Sequence, residues 1–178
     1  MQFKKWQKIS EKKLFGNNYW EYRLDIFKIE NGEEKEYHYV QTPGSTMVVP
    51  LLSDGRFLLT KQYRYLNRTT SIEFPNGGIV KGFSPHENAR KELREETGFD
   101  AKVLLPLGKF NPFNGVTNEL CHLFLAKELF ESPLPPDETE EFELLRLTAD
   151  EINSIIASGE LWDGMSLAAW SIFQTKKG

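Results

Sequence analysis

Residues 72–99, IEFPNGGIVKGFSPHENARKELREETGF, constrain this chain more than any other stretch. The second half predicts a short helix. Ser84 suits the N-cap, Pro85 the first helical position, and Glu87 closes a capping box. Gly98 is a natural stop. Glu92, Glu95 and Glu96 recur at i, i+3 and i+4, so their carboxylates project from one side of that helix. Ala89, Leu93 and Thr97 form a neighbouring stripe that packs inward. Carboxylates crowded on one face raise each other's proton affinity. Such a face asks for a cation, and hard oxygen donors suit Mg²⁺ or Mn²⁺. Gly77, Gly78 and Gly82 stand before the helix, where glycine lets the backbone turn and approach a ligand or ion closely. The plainer reading of ELREE is a solvated face, with Arg90, Lys91 and Arg94 as i, i+4 partners. The glycine loop, the cap and the carboxylate register coincide in one loop–helix unit, which favours the chemical reading.

Composition narrows the setting. The 178 residues suit one domain with a small extension. A net charge of −4 provides no basic field, so neither nucleic acid nor an anionic membrane is an expected partner. The single cysteine, Cys121, excludes an intramolecular disulfide and an all-cysteine zinc site. The start, MQFKKWQKISEKK, is too charged for a signal peptide, and no apolar run is long enough to span a bilayer. The expected compartment is the cytoplasm.

Taken in order, residues 1–45 read as an N-terminal extension and 46–178 as the main domain. Residues 20–29 and 37–41 predict a hairpin about a two-residue Asn31-Gly32 turn. An isolated hairpin is marginal in water, so this one packs on the main domain or on another subunit. Its aromatics, Trp20, Tyr22, Tyr37 and Tyr39, serve packing or stack on a nucleobase. Residues 45–52 and 56–62 predict a second hairpin about Asp54-Gly55. A strand is expected over 101–107, a break at 108–110, a loop over 111–119 and strands over 120–126 and 142–147. Thr148 and Glu151 form another capping box, opening a helix that Gly159 stops, and a last helix covers 165–174. His122, alone in an apolar strand, reads as a core residue. Many strands alternating with two or three helices suit an α/β/α sandwich around a mixed sheet.

The 72–99 stretch resembles the Nudix box, G-x5-E-x7-R-E-U-x-E-E-x-G-U, with U apolar. Gly77, Glu92, Leu93, Glu95, Glu96, Gly98 and Phe99 match, whereas Phe83 replaces the first Glu and Lys91 the Arg. Lysine is a point charge without arginine's bidentate fork. The resemblance covers roughly residues 45–178 and implies the same α/β/α sandwich. It further implies a Mg²⁺-dependent pyrophosphohydrolase, with Mn²⁺ a possible substitute. Glu92, Glu95 and Glu96 are then metal ligands, joined by a backbone carbonyl of Asn76 or Gly77.

Members acting on ADP-ribose and similar compounds carry elements similar to Gln62-Tyr63-Arg64, to Glu73-Phe74-Pro75 and to the 114–119 segment, NGVTNE. The last has Asn114 where that subgroup has Pro. Arg64, Glu73 and Glu119 are therefore the expected substrate-binding residues, with Arg64 read as an anion contact rather than a structural cation. The general base in such enzymes often comes from an acidic loop after the box. Glu138, Glu140 and Glu141 are the candidates here, and Glu92 is the alternative. The expected substrate is ADP-ribose or another nucleoside diphosphate sugar. A nucleotide-sensing module and a hydrolase of nucleoside triphosphates or dinucleoside polyphosphates are the rival readings. In dinucleotide-cleaving members the N-terminal segment joins a two-fold dimer and reaches the partner's nucleobase site, so a homodimer is expected.

Overall fold

The computed structural model describes residues 3, 5–136 and 138–176. Asp137, in the acidic run, lies outside the described residues. The chain divides into two compact units, residues 1–44 with 113–119, and residues 45–112 with 120–178.

The first unit is an antiparallel sheet of β1 (Gln7–Gly16), β2 (Glu21–Lys28) and β3 (Glu34–Gln41), with β2 central. The expected hairpin is present as β2 and β3, and β1 adds a third strand. That strand is exposed along almost its whole length and mixes lysine and glutamate with Ile9 and an adjacent Leu14-Phe15 pair, so it lacks the alternation that marks a strand. The turn is longer than two residues, because Lys28 pairs with Glu34. The Asn31 side chain accepts the Glu33 N–H at 3.0 Å and Gly32 takes φ +84°, which closes a wider loop. Val40 bridges Thr117, which brings the 113–119 segment into this unit.

The second unit carries β4 (Ser45–Pro50), β5 (Phe57–Arg64), β6 (Thr69–Glu73), β7 (Asn76–Gly78), α1 (Pro85–Thr97), β8 (Phe99–Phe110), β9 (Cys121–Glu131), β10 (Glu143–Leu147), α2 (Ala149–Ala157) and α3 (Gly164–Lys176). One sheet has the order β7-β4-β9-β8 and is mixed, since β4 runs parallel to β9. The other, β10-β5-β6, is antiparallel.

The expected hairpin of residues 45–52 and 56–62 does not form as a ladder. The Asp54-Gly55 turn is there, with Gly55 at φ +85°, but the strands share only a Leu51–Phe57 bridge and then diverge into different sheets. The cause is that β4 is apolar on both faces, with Met47, Val48 and Val49 all fully buried. Such a strand belongs in the middle of a sheet covered on both sides. Met47 and Val49 join Phe57, Leu59, Phe74, Trp170 and Phe173 on one side. Val48 joins Ala89, Leu93, Leu104 and Phe124 on the other. Helix α1 covers the second side, and α2 and α3 supply Ile152, Ala169 and Trp170 to the first. This is the expected α/β/α layering.

Two local readings need correction. The strand expected to stop at residue 107 runs on through Gly108 as β8, with a register shift between Pro106 and Gly108. Glycine at φ +150° absorbs that bulge without ending the strand. Asn76–Gly78, read as part of a loop, is a short strand paired with β4. Among the described residues no helix is long and apolar enough to cross a membrane.

Candidate active site

Helix α1 forms as its sequence dictates. Ser84 Oγ accepts the Glu87 N–H, and the Glu87 carboxylate accepts the Ser84 N–H at 2.8 Å. Gly98 closes the helix at φ +76°, donating its N–H to the Arg94 carbonyl. A cap of this kind contributes about 1 kcal/mol and fixes where the helix begins. The register of the carboxylates against the sheet follows from it.

The cations of ELREE are not used alike. Arg90 pairs with Asp100, and Arg94 donates to the Ser132 carbonyl at 2.8 Å, so both fasten the helix to its surroundings. Lys91 alone stays with the carboxylates, pairing with Glu95 and reaching Glu92 Oε1 at 3.5 Å. The solvated-face reading fails for the glutamates themselves, since Glu92 and Glu96 are 9 % and 6 % exposed.

Glu96 is held from two strands. Its Oε1 accepts the Asn76 N–H at 3.1 Å, and its Oε2 the Thr60 hydroxyl at 3.2 Å. Burial pushes its pKa well above the carboxylate range, the Asn76 N–H opposes that shift, and the neighbouring Glu92 adds to it. Glu92 is pushed up to about 7, again first by burial, with Lys91 opposing and the charges of Glu95 and Glu140 reinforcing. Gly77 makes room for Glu92. A Cβ built there would lie 2.4 Å from both Cδ and Oε2 of that carboxylate.

Arg64 and Glu73 come together. The guanidinium Nε donates to Glu73 Oε1 at 2.7 Å, and its second nitrogen pairs with Oε2. Burial would raise the Glu73 pKa, but the Arg64 fork outweighs it and holds the carboxyl below its ordinary value. Asn76 Nδ2 adds a bond to Glu73 at 3.2 Å. The Arg64 side chain remains 40 % exposed and lines a cavity of about 1000 Å³. Lys61, Tyr63 and Tyr65 share that wall, and the 138–143 segment forms the other. Glu138, Glu140 and Glu141 are all exposed there, and the charge of Glu140 reaches both Glu92 and Glu96. Glu119 lies in the other unit, where its N–H donates to the Thr117 hydroxyl at 2.9 Å.

Among the described residues no three His, Cys, Asp or Glu side chains form a preassembled metal cage. The residues nonetheless fit a divalent cation. Burial first, and then the neighbouring carboxylates, push Glu92 and Glu96 toward their protonated forms, a penalty that a bound cation would offset, and the donors are hard oxygens. A residue that sequence reasoning passed over is Asn88, fully buried and bonded to Glu92. A lone Asn in a helix gives no pattern to find it by.

Lys91 yields an expected result. Removing its charge in Lys91→Ala frees Glu95 and leaves Glu92 with one donor fewer. A fall in kcat of about 10-fold or more is expected, with Lys91→Arg close to wild type. Steady-state kinetics on the two variants test this, and a harmless Lys91→Ala would remove the position from the mechanism.

The buried carboxylates of α1 and the cavity lined by Arg64 form the candidate active site, and comparison with known proteins gives the family. The NUDIX domain model matches residues 41–164. The chain belongs to the Nudix family, and within it to the pyrophosphohydrolases. The "ADP-ribose pyrophosphatase" of Bacillus subtilis (strain 168) is 29 % identical over 171 residues, covering 95 % of this chain and 92 % of that protein. The "Methanol dehydrogenase activator" of Bacillus methanolicus is 28 % identical over 171 residues, with the same coverage of 95 % and 92 %. The "GDP-mannose pyrophosphatase" of Salmonella paratyphi B is 27 % identical over 177 residues, covering 92 % of each chain. A crystal structure of an "ADP compounds hydrolase" superposes with a TM-score of 0.86 over 98 % of this chain and 95 % of its own, at 20 % identity, which establishes the shared fold. Nudix hydrolases generally use divalent metals.

Proposed function

We propose that this enzyme hydrolyses the diphosphate linkage of a nucleoside diphosphate sugar, ADP-ribose or a close analogue, to a nucleoside monophosphate and a sugar phosphate. The observation that carries the reading is a buried carboxylate pair, Glu92 and Glu96, which both feel the charge of Glu140 and of which Glu96 also interacts with Arg64, two residues on the walls of one large cavity. The names of the relatives support the substrate class.

Glu92, Glu95 and Glu96, with a backbone carbonyl of Asn76 or Gly77, would hold Mg²⁺, or Mn²⁺ in its place. When bound, the cation neutralises phosphate charge and activates the displacement at phosphorus. Arg64, fixed by Glu73, turns its exposed face to a substrate phosphate. Glu140 is the proposed general base. It is exposed, lines the cavity, and its charge is felt by both Glu92 and Glu96, which supports its taking a proton from a water held there. Glu138 and Glu141 flank it in the same segment. The setting proposed is cytoplasmic, without nucleic acid or membrane partners.

A panel of ADP-ribose, GDP-mannose, UDP-glucose, diadenosine polyphosphates and nucleoside triphosphates, each with Mg²⁺ and with Mn²⁺, tests the reading. Release of nucleoside monophosphate from a nucleotide sugar is the expected result. Binding of ADP-ribose without turnover would replace the enzyme with a sensor.

We also propose a homodimer assembled through the first unit. That unit exposes Trp6, Phe15 and Tyr19 at 59 %, 59 % and 75 %, and of these three Phe15 lies in a strand. On β2, Tyr22, Leu24 and Ile26 alternate with Arg23 and Asp25, which are tied into ion pairs with Glu11, Glu21 and Lys8. The face of Tyr22, Leu24 and Ile26 adds Phe15 and Val40 beside Lys12, His38 and Glu36, so it mixes apolar and polar groups as ordinary protein interfaces do. Light scattering at micromolar concentration should give a dimer for the full chain and a monomer after deletion of residues 1–41. A monomeric full chain would refute the assembly.

A further inference from the structure

We propose that Asn88 is a positioning residue for Glu92, fixing which carboxylate oxygen faces Gly77; the inference rests on the role of Glu92 given above. Asn88 lies one turn before Glu92 on α1 and has no exposed surface. Its Oδ1 accepts the Val80 N–H at 3.0 Å. A backbone N–H only donates, so the amide cannot flip, and Nδ2 must point the other way. There it donates to Thr46 Oγ1 at 3.0 Å and to Glu92 Oε1 at 3.3 Å. Both amide hydrogens and the carbonyl are committed, and the side chain has no second orientation that satisfies them.

The consequence falls on Glu92. Its Oε1 is engaged by Asn88 and faced by Lys91 at 3.5 Å. Its Oε2 is the oxygen closer to Gly77, 2.4 Å from where a Cβ would stand against 2.7 Å for Oε1. Thr46 is itself the strand partner of Gly77. One amide therefore ties the helix, the central strand and the chain after the glycine pair around a single carboxylate. Lys91 reaches the same oxygen at 3.5 Å from a side chain that is 29 % exposed, whereas Asn88 is fully buried and bonded on both sides of its amide. A carboxylate without this partner is free to rotate about its last torsion, a terminal torsion with a broad energy profile.

Asn88→Leu, branched like Asn but bulkier, and Asn88→Ala, which is smaller, both delete the amide without adding charge. Thr46→Val is the comparator, because it removes the amide's other acceptor and leaves the bond to Glu92. The measurements are kcat and KM on the hydrolysed nucleotide sugar, Mn²⁺ binding by electron paramagnetic resonance, and melting temperature. Both Asn88 variants are expected to lose about 10- to 100-fold in kcat and in Mn²⁺ affinity, with KM changed by no more than about twofold. Thr46→Val should keep kcat and Mn²⁺ affinity within about twofold, even where its melting temperature falls as far as theirs. Unchanged Mn²⁺ affinity in both Asn88 variants overturns the proposal, as does an equal loss in Thr46→Val, which would mark a packing role only. If the wild type hydrolyses no substrate of the panel, the functional reading fails by itself, and the Mn²⁺ comparison still decides the role of Asn88.

Discussion

Glu96→Gln is expected to lower kcat by about 100-fold or more while the protein remains folded. The side chain is 6 % exposed and held by the Asn76 N–H and the Thr60 hydroxyl. Glutamine has nearly the same shape. Its carbonyl can still accept from Asn76, and the Thr60 hydroxyl can turn to accept from the new amide. Only the charge is lost, and a hard cation depends on charge. Stability should move the opposite way. A carboxyl whose pKa is raised on folding contributes fully below the ordinary carboxylate range, and that contribution is lost as pH rises through the folded value. Burial raises Glu96 in this sense. In chelator at about pH 8, wild type is therefore penalised for ionising a buried acid and the variant is not. Glu96→Gln should melt at or above wild type there, the gap closing toward about pH 4. Near-normal turnover in Glu96→Gln with cation bound equally well would refute the metal assignment.

Gly77→Ala should be as damaging, by geometry rather than charge. Gly77 is not among the glycines at positive φ, so its backbone tolerates alanine and only space is at issue. The new methyl would lie 2.4 Å from the Glu92 carboxylate carbon, well inside contact distance. Either Glu92 swings away or β7 leaves β4, and each displaces a reacting group by about 1 Å, enough for a loss of about 100-fold. Gly78 is the control, since a Cβ there meets nothing within 4 Å. Gly78→Ala should stay close to wild type. Equal kinetics for the two alanine variants would show that the tight contact at Gly77 has no functional weight.

How far the sequence announced this architecture depended on how local each signal was. The capping box at Ser84, the stop at Gly98 and the Thr148 cap depend on neighbours three or four residues apart, and the helices begin and end accordingly. The shared face of Glu92 and Glu96 followed from their spacing, but their burial did not, since the same spacing fits a solvated face. Strand partnership did not, because it depends on residues far apart in the chain. A turn at Asp54-Gly55 suggested a hairpin, yet the apolar faces of β4 took it to β7 and β9 instead. Strand β1 was invisible because an exposed strand needs no apolar alternation. Asn88 was invisible for another reason. Its partners are Thr46, Val80 and Glu92, and only one of these is within helical reach.

Strand β4 has a further consequence, for how the protein opens on warming. It is buried on both faces and bonded along both edges, so its amide protons should exchange with deuterium only when the whole unit unfolds. The backbone beneath Glu92 and Glu96 is paired to that strand through Asn76 and Gly77. Residues 138–141, which carry Glu140, are exposed and outside any helix or strand, so their amides should exchange early. The two sides of the proposed site thus lie at opposite ends of the opening scale. Heat should disperse the acidic wall first, and turnover should fade at temperatures where the β4 amides are still protected.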